Sequence, residues 1–177
     1  MSTVGKKHRS FQPIEKADLL RLAEIARKDR DQFFTKHPDW NKAYGRRYLC
    51  TVLGQGAAQH YLDCKNGTKV KKGINDFDVY SIYQVNPLKT WCYRRPVMAH
   101  DFGDPKFGLS RDGPKSFIGR RVNCLGRAIE VKKGEDTLMA LRRYLEFSKS
   151  KTAKVLNKAL ILLDPNCEGF ICPALGK

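Results

Sequence analysis

The chain has 177 residues, a length that fits one domain with a sizeable hydrophobic core. Its 41% of hydrophobic and 29% of charged residues are ordinary for a soluble globular protein. The longest apolar runs are far too short to span a bilayer, and no apolar stretch follows the basic N-terminal residues, so we expect no secretory signal. We therefore expect a cytoplasmic protein without a membrane partner.

The formal net charge of +16 is large for this length. It predicts an anionic partner such as RNA, DNA, a nucleotide or an acidic protein, although part of it can serve solubility alone. Six cysteines are present, but no C-x-x-C spacing occurs, and Cys50, Cys92 and Cys124 lie in apolar or strand-like segments. This pattern favours reduced thiols in a cytosolic protein over a zinc site or a disulfide framework.

In chain order, residues 1–12 are predicted to be a basic flexible arm that precedes a single domain over 13–165. A helix is expected from about Ala17 to Lys36, because apolar residues recur along one side of it, and Pro38 is expected to end it. A polar connection with room for one helical turn follows. Further helices are predicted over 57–62, 136–148 and 152–163, and a C-terminal tail over 166–177.

The strands are predicted from apolar runs and β-rich composition. Residues 48–53 suit a buried strand, and residues 76–83 place Phe77 and Val79 on one face and Asp76 and Asp78 on the other. The segment over 84–116 is loop-rich. Two more strands are expected, over 121–125 and, as a short one, over 92–97. This order predicts an α+β (mixed α/β) domain with a central mixed sheet flanked by helices.

Two segments about twenty residues apart point to specific chemistry. Gly54-Gln55-Gly56 leads from the first strand into a helix, and such a turn offers backbone N–H groups to a phosphate. Asp76 and Asp78 would point to the same side of the next strand, as a divalent ion prefers. Taken alone, the glycine segment could be an ordinary tight turn, and the two aspartates could be merely solvated at the end of a strand. Together they predict a site for a metal-bound nucleoside triphosphate.

From Tyr48 to Ile129, the succession of strand, glycine turn, short helix, D-x-D strand and later strand resembles the nucleotidyltransferase fold of the DNA polymerase β superfamily. The stretches L-G-Q-G-A-A-Q-H-Y and R-R-V-N-C-L-G-R-A-I also resemble a family of small uncharacterised bacterial proteins. The resemblance implies a small nucleotidyltransferase-like fold. It also implies that Asp76 and Asp78 hold two Mg²⁺ or Mn²⁺ ions, which clamp the triphosphate of an NTP substrate.

Two positions depart from the superfamily pattern. A third carboxylate on a neighbouring strand usually helps to activate the attacking hydroxyl, but Asn123 stands at the expected position. Either another acid such as Asp101 or Asp104 serves instead, or the third carboxylate is dispensable here; the remaining options are an altered activity or binding alone. Asparagine can ligate a metal through its carbonyl but cannot act as a base. The usual Gly-Ser is Gly56-Ala57 here, so Gln55 or backbone N–H groups would replace the serine hydroxyl at the phosphate.

Basic residues supply further candidate phosphate contacts, because an arginine fork can bind phosphate in bidentate fashion. The candidate nucleotide-binding residues are Gly54, Gln55, Gly56, Ala57, Arg94, Arg95 and Arg121. The lysines over 149–158 are spaced to share part of a helical surface, which could follow a nucleic-acid backbone or be a solvated face. His60 is expected to be structural rather than a general base.

The catalytic candidates are thus Asp76, Asp78 and Asn123. The expected activity is metal-dependent transfer of a nucleoside monophosphate from an NTP to a hydroxyl, and the charge favours an RNA acceptor, including a tRNA end. The alternative, which Asn123 favours, is a non-catalytic nucleic-acid-binding or regulatory module on a degenerate nucleotidyltransferase scaffold. An antibiotic-modifying enzyme would need an acidic pocket for a cationic drug, and the net charge argues against one.

Overall fold

The structure, a computed structural model, describes residues 9–70, 73–91, 98–108, 119–147, 159–168 and 171–173. The helices in these ranges are α1 (Lys16–Lys36), α2 (Pro38–Tyr44), α3 (Gln55–Lys65) and α4 (Thr137–Phe147). The strands there are β1 (Tyr48–Gly54), β2 (Phe77–Gln84), β3 (Met98–Asp101), β4 (Arg121–Ile129), β5 (Ala159–Asp164) and β6 (Ile171–Pro173). Short 3-10 helices cover Gly45–Arg47 and Pro105–Phe107.

These strands form one sheet in the order β3-β4-β2-β1-β5-β6. β2 and β4 run parallel, and every other neighbouring pair is antiparallel. The fold is therefore α+β with a central mixed sheet flanked by helices, as the sequence predicts. Within the described ranges, no helix combines the length and the apolar character that crossing a bilayer requires.

Different helices cover the two faces of the sheet. On one side, here called the α1 face, α1 and α3 pack against residues that include Phe77 and Val79. On the other side, the α4 face, α4 packs against residues that include Tyr80 and Ile82. Side chains alternate between the faces of a strand, so a strand covered on both sides is apolar on both. The predicted division of β2 into two faces is confirmed.

α1 is amphipathic, with buried residues three and four positions apart. Leu19, Leu22, Ala26 and Phe33 lie along this stripe. The helix ends at Lys36, and Pro38 opens α2, where the missing N–H of proline costs nothing because first-turn donors have no intrahelical partner. The predicted first helix is confirmed, whereas the connection after it is mostly helical.

The predicted helix over 152–163 is wrong in its last part. Ala159–Asp164 is strand β5, and residues 152–158 lie outside the described residues. Ile161 packs on the α1 face, and its neighbours Leu160 and Leu162 pack on the α4 face. An unbroken apolar run fits a strand between two helical layers, because a helix at the surface needs only one apolar stripe.

Three pairings lie where the sequence predicts no strand. β3 falls inside the segment predicted as loop-rich, just after the short strand predicted over 92–97, which lies outside the described residues. β6 pairs with β5 inside the predicted C-terminal tail. Ser10, in the predicted arm, exchanges backbone hydrogen bonds of 2.9 and 2.6 Å with Ile74. All three depend on backbone pairing with another segment of the chain, which the local composition of the paired segment does not encode.

Candidate functional site

The sheet brings three of the predicted site residues side by side. β1 ends where the antiparallel β2 begins, so that Gly54 is paired with Asp78. β2 and β4 begin together because they are parallel, and Asp78 is paired with Asn123. The glycine turn, the D-x-D segment and the predicted position of the third carboxylate therefore meet at one end of three neighbouring strands. Their side chains belong to the α4 face.

The side-chain amide of Asn123 joins the two aspartates. Its Nδ2 donates hydrogen bonds to Asp76 Oδ2 at 3.1 Å and to Asp78 Oδ1 at 3.0 Å. The two carboxylates thus converge on one point, on the same side of the sheet, as their spacing predicts. Asn123 is buried and Asp76 is half-buried.

Arg121 fixes which way this amide faces. Its Nε donates a hydrogen bond of 2.9 Å to Asn123 Oδ1, so the carbonyl points to the guanidinium and the amide NH₂ points to the carboxylates. Arg121 and Asn123 are two apart on β4 and lie on the same side of it. The site therefore contains two acids, one amide and one arginine in a continuous hydrogen-bonded chain.

Burial and the charge of Asp76 raise the pKa of Asp78 to about 6, from an ordinary value of 3.8. The hydrogen bond from Asn123 and the charge of Arg121 oppose this rise without cancelling it. At neutral pH Asp78 is ionised in a place where its charge is incompletely balanced. Two such carboxylate oxygens aimed at one point are the hard donors that Mg²⁺ and Mn²⁺ accept.

The glycine turn begins α3 with an unusual backbone. Gln55 has a φ of 56°, in the left-handed region that residues with a side chain rarely adopt and that often marks a functional site. Its Nε2 donates a hydrogen bond of 2.8 Å to the hydroxyl of Tyr80, which holds the turn against β2. Burial and the nearby Asp78 raise the pKa of this hydroxyl to about 12, so it stays protonated.

The start of α3 is open to a ligand. The first-turn N–H groups of any helix have no acceptor within the helix, and no N-cap side chain supplies one here. Gly56 is exposed, and a Cβ placed there would meet nothing within 4 Å. Ala57, by contrast, is buried in the core on the α1 face. Its methyl group cannot contact a phosphate, so the prediction for Ala57 can hold only for its backbone N–H.

The other candidates divide between the described and the undescribed parts of the chain. Arg94 and Arg95 lie outside the described residues, as do the lysines over 149–158. Asp101 accepts a 2.5 Å hydrogen bond from Arg120, and Asp104 accepts one of 2.9 Å from the backbone N–H of Lys106. Both alternative acids thus have partners away from the Asp76–Asp78 pair, which disfavours them as the third carboxylate.

His60 is almost fully buried, and its Nε2 lies 2.9 Å from the carbonyl oxygen of Gln12. This placement agrees with the structural role expected for it. The sequence predicts Tyr80 beside the site, as an aromatic that could stack on a nucleobase, but not the hydrogen bond that its hydroxyl accepts from Gln55. The position of Tyr80 on the same face of β2 as Asp78 was the available signal, because residues two apart on a strand share a face.

A scan against protein-family models, a search of the curated proteins and a search of the solved structures each gave no match. What the site can do must therefore be argued from its own geometry.

Proposed function

We propose that the protein binds a nucleoside triphosphate with Mg²⁺ or Mn²⁺ at Asp76 and Asp78. It then transfers the nucleoside monophosphate to a hydroxyl, with RNA, including a tRNA end, as the acceptor. The observation that carries this proposal is the convergence of both carboxylates on the single nitrogen of Asn123. A divalent ion requires such a meeting point of negative oxygens, and the raised pKa of Asp78 indicates that the positive charge there falls short.

Each residue of the site has a part in this proposal. Asp76 and Asp78 would hold the metal, and the N–H groups at the start of α3 would receive phosphate oxygens in the open space beside Gly56. The bound metal would neutralise charge on the transferring phosphoryl group. Arg121 is half-buried, and its guanidinium, held beside the aspartates by Asn123, would contact the same anion. Tyr80 keeps the turn in place through Gln55.

The missing third carboxylate does not exclude catalysis. Phosphoryl transfer passes through a loose transition state in most analyses, so positioning and charge stabilisation supply most of the acceleration. Asn123 cannot remove a proton, but its amide keeps two mutually repelling carboxylates in place before metal binds. We infer that its role here is to organise the site in the absence of metal.

A second candidate function rests on the same residues. The chain of hydrogen bonds from Arg121 through Asn123 gives each aspartate a hydrogen-bond donor without any ion. This closed arrangement favours a non-catalytic nucleic-acid-binding or regulatory module, in which the basic surface binds RNA and the former metal site is structural. The net charge of +16 supports an RNA partner in both cases.

The deciding experiment measures binding and transfer separately. Calorimetric titration with Mg²⁺ or Mn²⁺ and a non-hydrolysable NTP tests the site, and incubation with labelled NTPs and total RNA tests transfer. Asp78→Asn should abolish both. Asp104→Asn is the matched control, because an asparagine can still accept the hydrogen bond from Lys106 and should change neither. Metal-independent RNA binding without nucleotide binding or transfer would select the second candidate.

A further inference from the structure

A carboxylate interrupts the buried stripe of α1. Asp29 lies three residues after Ala26 and four before Phe33, at a position that the helical period reserves for an apolar side chain. It is only 2% exposed. Burying an ionised carboxylate is costly unless a cation or strong donors compensate it, so the groups that face Asp29 must supply positive charge or hydrogen bonds.

The sheet supplies two such groups from its edge. β3 and β4 are antiparallel, with His100 paired with Val122, so His100 and Cys124 are diagonal neighbours on one face. That face is the α1 face, since Val122 and Cys124 both belong to its core. Cys124 is 3% exposed, whereas a quarter of the His100 side chain is open to solvent.

The three side chains meet between α1 and this pair of strands. His100 Nε2 lies 2.9 Å from Asp29 Oδ1, and donor atoms of all three residues lie within 4.8 Å of one another. In tetrahedral zinc sites, bond lengths of about 2.0–2.3 Å place neighbouring donors about 3.3–3.7 Å apart. An ion therefore needs the 2.9 Å contact between His100 and Asp29 to widen slightly, and the sulfur, which lies within 4.8 Å of both, to stand at about 3.7 Å or less from each.

We propose that Asp29, His100 and Cys124 form a binding site for a thiophilic divalent transition-metal ion, with Zn²⁺ the best match. A thiolate, an imidazole and a carboxylate are the ligand types of zinc proteins, and the sulfur makes the set unsuitable for Mg²⁺. The ion would bind the buried carboxylate of Asp29 directly. It would also fasten α1 to the sheet edge through ligands from three separate elements, and water could reach the fourth position beside His100.

Two other interpretations of the same residues are weaker. A cysteine, a histidine and an aspartate can form a nucleophilic triad, but the Cys124 sulfur is buried in the core, where a substrate cannot reach it. A protonated His100 could pair with Asp29 without any metal, which would explain their contact but not why the sulfur of Cys124 lies within 4.8 Å of both. The site is separate from the one at Asp78, because Cys124 and Asn123 point to opposite faces of β4.

The test uses the full-length chain after chelation and dialysis. Titration with Co²⁺, which takes the same ligands as Zn²⁺, should produce thiolate-to-cobalt absorption in the near ultraviolet at one equivalent, and Zn²⁺ should displace it. Zn²⁺ at about a hundredfold excess over its Kd should raise the Tm by about 5–10 °C. A wild-type protein that gives neither signal would overturn the proposal in favour of the metal-free ion pair.

Variants assign the site. Cys124→Ala should remove the absorption, and Asp29→Asn, which keeps the size and a hydrogen bond to His100, should weaken Co²⁺ binding by at least about tenfold. Cys64→Ala is the matched control. Cys64 also lies beside a histidine, with its Sγ 3.6 Å from His60 Nε2, but no acid completes that pair in the described part of the chain. Absorption kept in Cys124→Ala, or lost in Cys64→Ala, would place the metal elsewhere and refute the assignment.

Discussion

Replacing Asn123 with aspartate tests whether its side-chain amide occupies the position of a bound metal ion. The amide donates hydrogen bonds of 3.1 and 3.0 Å to two carboxylates, and a bond to a charged group contributes about 1.5–3 kcal/mol. Asn123→Asp removes both bonds and adds a third negative charge. Without metal, we expect the free energy of unfolding to fall by about 3–6 kcal/mol at neutral pH. The loss should shrink in acid, because a protonated carboxyl can again donate.

A divalent ion should reverse this loss. Mg²⁺ at about a hundredfold excess over its Kd restores about 2.7 kcal/mol, and a third carboxylate strengthens its binding at short range. Denaturant unfolding at pH 7 and pH 5, with and without Mg²⁺, measures the effect, and the labelled-NTP assay shows whether transfer rises with it. Asn166→Asp adds the same charge at an exposed position and should change neither.

Two results would refute this reasoning in different ways. If Asn123→Asp unfolds like the wild type in the absence of metal, the amide does not hold the carboxylates together. If the variant is destabilised but Mg²⁺ and Mn²⁺ restore nothing, the carboxylates do not form a metal site. The second result would leave the non-catalytic module as the better function for the chain.

Three further predictions follow from the same site and from the net charge. Gly56→Ala should raise the Tm by about 1–4 °C, because alanine favours a helix more than glycine does. If phosphate occupies the open space beside Gly56, the same change should weaken NTP binding, as measured by calorimetry, and an unchanged NTP affinity would contradict that use. Mg²⁺ affinity should fall about tenfold per pH unit below pH 6, where protons compete for Asp78, and a flat profile would contradict the raised pKa. RNA affinity should fall steeply with salt, and Lys151→Glu with Lys154→Glu should weaken it alike for all sequences; a flat salt dependence would leave the charge as a solubility device.

The raised pKa of Asp78 also sets the sign of a stability change with pH. In the folded state Asp78 keeps its proton up to about pH 6, whereas an ordinary aspartate loses its proton near pH 3.8. The contribution of this protonated carboxyl to the free energy of unfolding is therefore fully present below about pH 4. It amounts to about 3 kcal/mol and is lost as the pH rises through about 6. If the proposed metal binds there, Mg²⁺ should recover part of this loss above pH 6 and none of it below pH 4.

Much of the sheet could be predicted because its inner strands carry their own local signal. β1, β2 and β4 are apolar or alternating runs, and the faces of β2 follow from the two-residue period. The meeting of Gly54, Asp78 and Asn123 depends on strand pairing, which is not local, and the resemblance to a known arrangement supplied it. The run over 159–163 shows the limit, because a short apolar run does not distinguish a strand from a buried helix.

The cluster of Asp29, His100 and Cys124 could not be predicted from local sequence patterns either, because non-local contacts bring its members together. Its members come from α1, β3 and β4, and His100 is 71 positions from Asp29. Searches for ligand spacing find sites whose ligands are close in sequence, and no two of these three residues are close in sequence. One signal is present in the sequence nonetheless. A charged residue at a stripe position of an amphipathic helix requires a compensating partner, although the helix alone does not say which residue supplies it.

The register of β4 decides the chemistry of both proposed sites. Asn123 and Cys124 are adjacent, yet one faces Asp78 on the α4 face and the other faces Asp29 on the α1 face. A slip of one residue would turn the amide toward Asp29 and His100 and the thiol toward the two carboxylates, disrupting both proposed sites. Pairing with β2 and β3 on either side prevents such a slip. The separation would also sort the ions, since the proposed site with a sulfur ligand suits softer ions and the proposed site with only oxygen ligands suits Mg²⁺.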